Sequence, residues 1–186
     1  MHREDLLRYL HQHQTRFMDE AAYVRRAVEY IENNPDCFER EHEPIHVTGS
    51  AWVVNPERNL VLLVHHGKLH DWYQPGGHAD GDPDVLRVAL RETQEESGVD
   101  ESHIHLLLEE VFDVDMHVIP ATPTVPQHGH IDIRFLLEID DVHDVPGSDE
   151  SHEVKWVPLQ RVSAYNNNRS TYRMVEKTRQ LRAWRF

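Results

Sequence analysis

Residues 75–99 read PGGHADGDPDVLRVALRETQEESGV and combine a glycine turn with a predicted helix. Asp82 is a favourable N-cap and Pro83 a favourable first helical residue, so we expect the helix to begin at this point. Gly98 directly follows Ser97 and is a typical residue just past a helix C-terminus. The sequence therefore predicts a helix from Pro83 to about Ser97.

Three glutamates of this helix share one face. Glu92, Glu95 and Glu96 fall within roughly a third of the helix circumference. Such carboxylates repel one another unless a cation lies among them, and a set of oxygen donors suits Mg²⁺ or Mn²⁺. A solvated acidic face is the alternative. The preceding Pro-Gly-Gly turn favours a site, because its backbone can approach a phosphate or donate a carbonyl to a metal.

The stretch Gly77–Val99 resembles the Nudix box. The matching positions are Gly77, Arg91, Glu92, Glu95, Glu96, Gly98 and Val99. Pro83 stands where the family has its first glutamate, a carboxylate that Asp80, Asp82 or Asp84 can replace, and Thr93 stands at an aliphatic position. The resemblance implies an α/β (α+β) fold, a Nudix-like α/β/α sandwich with a mixed sheet. It also implies a Nudix-type pyrophosphohydrolase acting on phosphoanhydride bonds.

The resemblance further implies a role for each residue of the site. Glu92, Glu95 and Glu96 would be catalytic and would bind Mg²⁺ (or Mn²⁺), with the Gly76 carbonyl completing the coordination. Arg91 would orient a glutamate by a charge-assisted hydrogen bond, and a weak surface salt bridge is the alternative. A carboxylate must accept the proton of the attacking water. The candidates are Glu95, Glu96 and, in an acidic segment whose alternative is a solvated turn, Glu150 and Glu153.

Aromatic, histidine and arginine side chains are candidates for substrate binding. Trp72 and Tyr73 can stack on a base or sugar, or pack in the core. His78 can contact phosphate or be a surface polar group. A basic final helix is predicted over Ser170–Trp184. Arg169 directly before it and Arg173 within it are the two arginines that we expect to reach a substrate.

A pair of histidines at His128 and His130 raises the question of a second metal. In an extended strand the two imidazoles lie on the same side, and such a pair can begin a zinc or iron site. The sequence offers no clear third ligand at short spacing, so we favour a solvated or substrate-facing pair.

The remaining elements divide the chain into an N-terminal helical extension, residues 1–40, and a Nudix-like domain, residues 41–186. Two helices are predicted in the extension, the second with Asp19 as its cap. Its apolar stripe (Val24, Val28 and Ile31) can cover the active site or form a homodimer interface. The predicted strands are His46–Val54, Leu60–His66, His103–Val118, Ile131–Ile139 and Val154–Val157.

Composition limits the partners and the location. The formal charge of −14 disfavours binding to nucleic acid. No apolar run approaches the roughly 18 residues that a membrane helix needs, and the polar N-terminus lacks a signal-peptide core. Cys37 is the only cysteine, which argues against a disulfide-stabilised secreted protein and for the cytoplasm.

The functional prediction is a metal-dependent hydrolase of a small-molecule nucleotide. We expect it to cleave a diphosphate linkage in a nucleoside diphosphate linked to another group, with a sugar nucleotide or ADP-ribose as the first choice. One alternative is a nucleoside triphosphate pyrophosphatase. Another is a non-catalytic nucleotide-binding sensor on the same fold.

Overall fold

The structure is a computed structural model that describes residues 2–67, 71–123, 125–140, 145, 147 and 151–183. Its α-helices are α1 (Arg3–Gln12), α2 (Met18–Asn33), α3 (Val85–Ser97) and α4 (Arg169–Ala183). Its strands are β1 (Ile45–Val54), β2 (Leu60–His66), β3 (Trp72–Tyr73), β4 (Gly76–His78), β5 (His105–Leu106), β6 (Asp113–Ile119), β7 (His128–Glu138) and β8 (Ser151–Pro158). Two 3-10 helices lie at Glu101–His103 and Leu159–Ala164.

The strands form one mixed sheet. The order is β3-β2-β1-β7-β5, with β4 paired to β1, β6 to β7 and β8 to β2. The pairs of β2 with β1, β3 and β8, of β4 with β1, and of β7 with β5 and β6 are antiparallel. Two hydrogen bonds show that β7 runs parallel to β1. Gly129 N–H donates to the Pro44 carbonyl at 2.8 Å and Ile139 N–H to the Val54 carbonyl at 3.0 Å, which is the same offset at both ends. The predicted α/β (α+β) class, with a mixed sheet and N-terminal helices, is confirmed.

The chain divides into two compact units. The first unit comprises Met1–Ser50, Gly76–Ala89 and Glu109–Phe135, and the second comprises Ala51–Pro75, Leu90–Leu108 and Leu136–Phe186. Both units contain residues of β1, α3 and β7. The boundary predicted near residue 40 stays a prediction.

In the first unit, α1 and α2 pack through apolar side chains. Those that are buried are Leu6, Leu10, Val24, Ala27 and Ile31. The fully buried Glu20 of α2 accepts hydrogen bonds from Thr15 Oγ1 and, at 3.3 Å, from the Val114 amide of β6. The helices of the extension are therefore fixed to the sheet by a polar contact as well as an apolar one.

A buried ion cluster lies on one face of β6 and β7 in the first unit. Arg134 is in contact with Asp132 (2.7 Å), Asp115 (3.2 Å) and Asp113 (3.3 Å). Burial opposes the arginine's charge, but the three aspartates outweigh that effect and raise the pKa of the guanidinium above its ordinary value. Ser50 adds a hydroxyl donor to Asp132. One guanidinium therefore compensates three carboxylates away from water.

In the second unit, β2 is central and pairs with both β3 and β8. Its residues 61–64 are buried on both faces, as expected of a strand covered on two sides. On β1, the fully buried Trp52 donates its indole N–H to Thr178 Oγ1 of α4 at 2.9 Å, and Thr178 in turn donates to the Met174 carbonyl. This chain of hydrogen bonds fixes α4 against β1.

Several predicted boundaries are wrong. The predicted strand over 103–118 is two strands, β5 and β6, separated by residues 107–112. The strand predicted from Ile131 begins at His128. Phe17, and not Asp19, is the N-cap of α2. The short strands β3 and β4 were not predicted, because a stretch of two or three residues carries no periodic pattern.

The apolar stripe assigned to a dimer interface is buried within the single chain. Val24 is 8% exposed and Ile31 is fully buried, while Val28 is half-buried. Val24 and Ile31 therefore pack inside the protomer. A homodimer stays a prediction, and its interface would have to use other residues. Within the described ranges, none of the helices is long and apolar enough to cross a membrane.

Candidate active site

Helix α3 begins two residues later than predicted. Asp84 Oδ1 accepts the Arg87 amide at 3.1 Å, so Asp84 is the N-cap in place of Asp82. Asp82 instead accepts the Asp84 amide and holds the Arg87 guanidinium through two contacts of 2.8 Å. The helix ends as predicted at Gly98, which has φ 72° and donates its amide to Gln94.

The glutamates of α3 differ in exposure. The Glu92 side chain is 16% exposed, and its Oε1 accepts a hydrogen bond from Arg91 Nη2 at 2.7 Å. The Glu95 side chain is 62% exposed and lies 4.0 Å from Arg91 Nε, while Glu96 is half-buried. Arg91 therefore orients Glu92 much more firmly than Glu95, which is the contact expected of an orienting arginine.

The donor set of this helix suits a hard cation. Glu92 and Glu96 lie one turn apart, and carboxylate oxygens are the ligands that Mg²⁺ and Mn²⁺ prefer. A largely buried carboxylate with acidic neighbours gains from a cation beyond its one arginine contact. Among the residues that the structure describes, these carboxylates do not form a cluster of closely spaced donor atoms. Their assignment as metal ligands stays a prediction.

Gly76 lies opposite Ser50 in the antiparallel pair of β4 and β1. The two strands are paired at Ser50 and Gly76, and a Cβ atom on residue 76 would lie 2.2 Å from the Ser50 Cβ. No side chain fits there, so the glycine is required by packing whether or not its carbonyl binds a metal.

Each of the three aspartates that can replace the missing glutamate has a contact of its own. Asp80 holds the Arg40 guanidinium through contacts of 2.5 and 2.8 Å. Asp82 holds Arg87 and Asp84 caps α3. These aspartates therefore stabilise the loop around Pro83, and a metal-binding role for any of them stays a prediction.

The predicted aromatic contacts lie on β3. The Trp72 ring has edge contacts to His65 and Tyr165 with centroids 5.2 and 5.3 Å apart, and Lys155 Nζ lies 5.2 Å from its centre. Tyr73 is half-buried, and burial raises the pKa of its hydroxyl. Trp72 is thus already held by protein groups, which leaves less of its surface for stacking on a base.

The two arginines of α4 have opposite environments. Arg169 is exposed at the start of the helix, whereas Arg173 is only 1% exposed and belongs to the core. Glu153 on β8 is 51% exposed and pairs with Lys155 at 2.6 Å, while Glu150 lies outside the described residues. The proposed roles of these four residues stay predictions, and that of Arg173 requires a buried side chain to become accessible.

Residues 44–178 match the NUDIX domain family. The match covers most of the chain and includes α3 with its three glutamates. The chain belongs to this family. The predicted enzyme class, a Nudix-type pyrophosphohydrolase, is thereby confirmed. Nudix enzymes generally use divalent metals, which agrees with the oxygen donors of α3.

Individual Nudix proteins resemble the chain over part of its length. A bis(5'-nucleosyl)-tetraphosphatase (asymmetrical) of Rattus norvegicus is 40% identical over 108 residues, which are 58% of this chain and 69% of the relative. The mitochondrial coenzyme A diphosphatase NUDT8 of Mus musculus is 36% identical over 78 residues, 38% of this chain and 36% of that relative. The crystal structure of a C. elegans Ap4A hydrolase in binary complex has a TM-score of 0.60 at 19% identity, covering 74% of this chain and 97% of that one. This last likeness confirms the Nudix fold.

The structure also places together side chains that the sequence did not combine. His46 of β1 and His78 of β4 lie against the predicted pair His128 and His130 of β7. The two further histidines are distant in sequence from this pair, and the pairing of β1 with β7 and with β4 brings them close to it. The sequence predicted the strand that carries His46, but it did not predict the register of that strand against β7.

Proposed function

We propose that this protein is a divalent-metal-dependent hydrolase that cleaves a diphosphate linkage in a nucleoside diphosphate linked to another group. The observation that carries the proposal is the largely buried Glu92 held by Arg91 on α3, with Glu96 one turn further along. A buried carboxylate oriented by an arginine, with a second carboxylate on the same helix face, is suited to bind a cation that faces phosphate.

Each residue of this set has a separate task in the proposal. Glu92 and Glu96 would hold Mg²⁺ or Mn²⁺, with the Gly76 carbonyl as a further donor, and such an ion would supply neutralisation of phosphate charge and a water molecule of lowered pKa. Arg91 keeps Glu92 in position. In the reaction, the water oxygen forms a bond to phosphorus and the bridging P–O bond breaks. The leaving phosphate keeps that electron pair.

The proton released by the water goes to a carboxylate. Glu95 is the candidate on α3, because its side chain is mostly exposed and its contact with Arg91 is loose. Glu153 is the second candidate on β8, where the ion pair with Lys155 would first have to open.

The substrate is proposed from the relatives. The rat relative is named a bis(5'-nucleosyl)-tetraphosphatase, and the mouse relative a coenzyme A diphosphatase. Both names describe a nucleotide whose phosphates are joined to a second group, which is the class predicted above. Dinucleoside tetraphosphates are therefore the first substrates to test, followed by sugar nucleotides and ADP-ribose.

The experiment is a hydrolysis assay with chromatographic product identification. The panel contains dinucleoside polyphosphates, coenzyme A, sugar nucleotides, ADP-ribose and nucleoside triphosphates, each with Mg²⁺, with Mn²⁺ and without metal. Glu96→Gln is expected to lose about 100-fold in kcat, which corresponds to about 2.7 kcal/mol of transition-state stabilisation. Glu109→Gln removes one negative charge from an exposed residue and is the matched control, expected to retain activity.

The products distinguish the alternatives. Cleavage confined to nucleoside triphosphates, with release of pyrophosphate, would show the triphosphate pyrophosphatase instead. Nucleotide binding without turnover in either metal would show the sensor. Full activity of Glu96→Gln would remove the proposed metal site on α3.

A further inference from the structure

Four imidazoles from three strands meet in the first unit. His46 comes from β1, His78 from β4, and His128 and His130 from β7. Their ring centroids are 4.8–5.2 Å apart in the pairs that are in contact. Each ring offers one nitrogen, and these four nitrogens all lie within 4.8 Å of one another. We call these four residues the histidine cluster.

Two nitrogens of the histidine cluster are buried without a hydrogen-bond partner. They are the Nε2 atoms of His46 and His130, and the His46 residue is only 2% exposed. A buried polar atom that has lost water and gained no partner is destabilising, so it indicates an absent ligand. A cluster that was only a solvated group of surface histidines would leave these atoms in contact with water.

The opposite nitrogens fix the tautomer of two rings. His46 Nδ1 lies 3.3 Å from the His42 carbonyl, and His128 Nδ1 lies 2.9 Å from the Pro126 carbonyl. A carbonyl oxygen only accepts, so each Nδ1 carries the proton and each Nε2 carries a lone pair. Histidines that bind metals are held in this way, with the second ring nitrogen donating to a backbone carbonyl.

Burial favours the neutral form of three imidazoles of the cluster, those of His46, His78 and His130. Burial lowers the pKa of His130 to about 2, and burial followed by the Arg40 charge lowers that of His78 to about 4. Burial lowers the pKa of His46 as well. Neutral imidazoles are the form that binds metals, because protonation removes the lone pair.

We propose that the histidine cluster binds one divalent transition-metal ion of the zinc class, distinct from the Mg²⁺ or Mn²⁺ of the reaction. Four imidazole nitrogens suit zinc, nickel or copper, whereas Mg²⁺ prefers oxygen donors. In a tetrahedral zinc site with bonds of about 2.0 Å the donors lie about 3.3 Å apart. Small side-chain rotations close the present spacing, and the strands that carry the ligands are rigid elements.

Occupancy of the cluster bears on the turn before α3. His78 and Gly76 belong to the same three-residue strand β4, and His78 is paired with Thr48 of β1. An ion shared by β1, β4 and β7 therefore fixes the strand that carries the glycine backbone. The proposal does not depend on the substrate, since none of the glutamates of α3 takes part.

The test is metal binding by the full chain without a histidine tag. The protein is stripped with a chelator, dialysed against Zn²⁺ with Mg²⁺ in excess, and its zinc content is measured by mass spectrometry. Co²⁺ replaces Zn²⁺ in a second sample, because its visible spectrum reports tetrahedral nitrogen coordination. We expect one ion per chain and a rise in the melting temperature on adding zinc.

Variants locate the ion. His130→Gln and the half-exposed His128→Gln are each expected to weaken zinc binding by about tenfold or more, with an unchanged circular dichroism spectrum. His105→Gln, an exposed histidine on β5, is the matched control and is expected to bind as the wild type does. Glu96→Gln is expected to keep its zinc whether or not it keeps its activity.

Two outcomes would overturn the proposal. One is a wild-type protein that binds no stoichiometric zinc or cobalt. The other is zinc that is lost in Glu96→Gln and retained in His130→Gln, since that would place the ion at the glutamates. Failure of the hydrolase assay would leave the zinc measurement intact, so the two proposals fail independently.

Discussion

Replacing Arg134 by methionine removes the guanidinium of the buried ion cluster while nearly preserving side-chain volume. Arg134 is 4% exposed and contacts Asp132, Asp115 and Asp113 through three different nitrogens. The variant leaves three carboxylates without their cation, two of them no more than 4% exposed. Breaking a buried pair by removing one partner costs about 3–5 kcal/mol. We therefore expect a loss of this size in the free energy of unfolding at neutral pH.

The assay is urea denaturation combined with a thermal scan. For a chain of this length a loss of about 1 kcal/mol lowers the melting temperature by about 2–4 °C, so a fall of roughly 6–20 °C is expected. The loss should persist in about 1 M salt, because buried charges are poorly screened. The exposed Arg40–Asp80 pair provides the comparison, and its smaller contribution should fall with salt.

Two further variants test the reasoning. Arg134→Lys keeps the charge but not the planar fork, and we expect a smaller loss of about 1.5–3 kcal/mol. Asp115→Asn removes one carboxylate, so Arg134→Met should cost less in that background. A loss below about 1 kcal/mol for Arg134→Met, typical of an exposed ion pair, would refute the claim that one guanidinium compensates this cluster.

Two other predictions concern the thiol and the end of α3. Burial raises the pKa of Cys37 to about 11, so the native thiol should not react with a disulfide reagent at pH 8 and should react once the chain is unfolded in guanidinium; equal rates in both states would contradict this. Gly98→Ala places a side chain at φ 72° and should lower the free energy of unfolding by about 1–2 kcal/mol in urea titrations. Gly98→Asn should lower it less, and equal stability of all three proteins would contradict the strain argument.

The helix α3 could be predicted from the sequence because its signals are local. The apolar spacing, the acidic caps and Gly98 lie within one short stretch, and the structure differs only at the N-cap. Asp82 and Asp84 both have the right chemistry, and the choice of Asp84 depends on the fork between Asp82 and Arg87. The local sequence pattern therefore predicts the helix, whereas its first residue depends on which of the two aspartates is already bound by Arg87.

The polar face of β7 shows why the strand start was predicted too late. His128, His130, Asp132 and Arg134 alternate with Gly129, Ile131 and Ile133. The period of two is present throughout, but histidine and glycine are weak strand formers, so the pattern was recognised only from Ile131. Asp132 and Arg134 are stable inside because partners on β1 and β6 reach them, and such partners are invisible without the register.

The assignment of site residues was limited in the same way. Arg91 and Glu92 are neighbours in sequence, and their contact could be anticipated. The burial of Arg173 could not be anticipated, because Arg173 is one of several basic residues in the sequence of α4. The ring contacts of Trp72 likewise involve residues from distant segments.

Two close backbone approaches to β1, one by β4 and one by the start of α3, restrict which residues can occupy two positions of this chain. A side chain at Gly76 would overlap Ser50, and one at Gly49 would lie 2.6 Å from the Val85 carbonyl. Selection for folding alone would therefore keep both glycines through evolutionary drift. In an alignment of related sequences, an invariant glycine at position 76 would therefore reflect the lack of space between two neighbouring strands. It would not be evidence of a catalytic role.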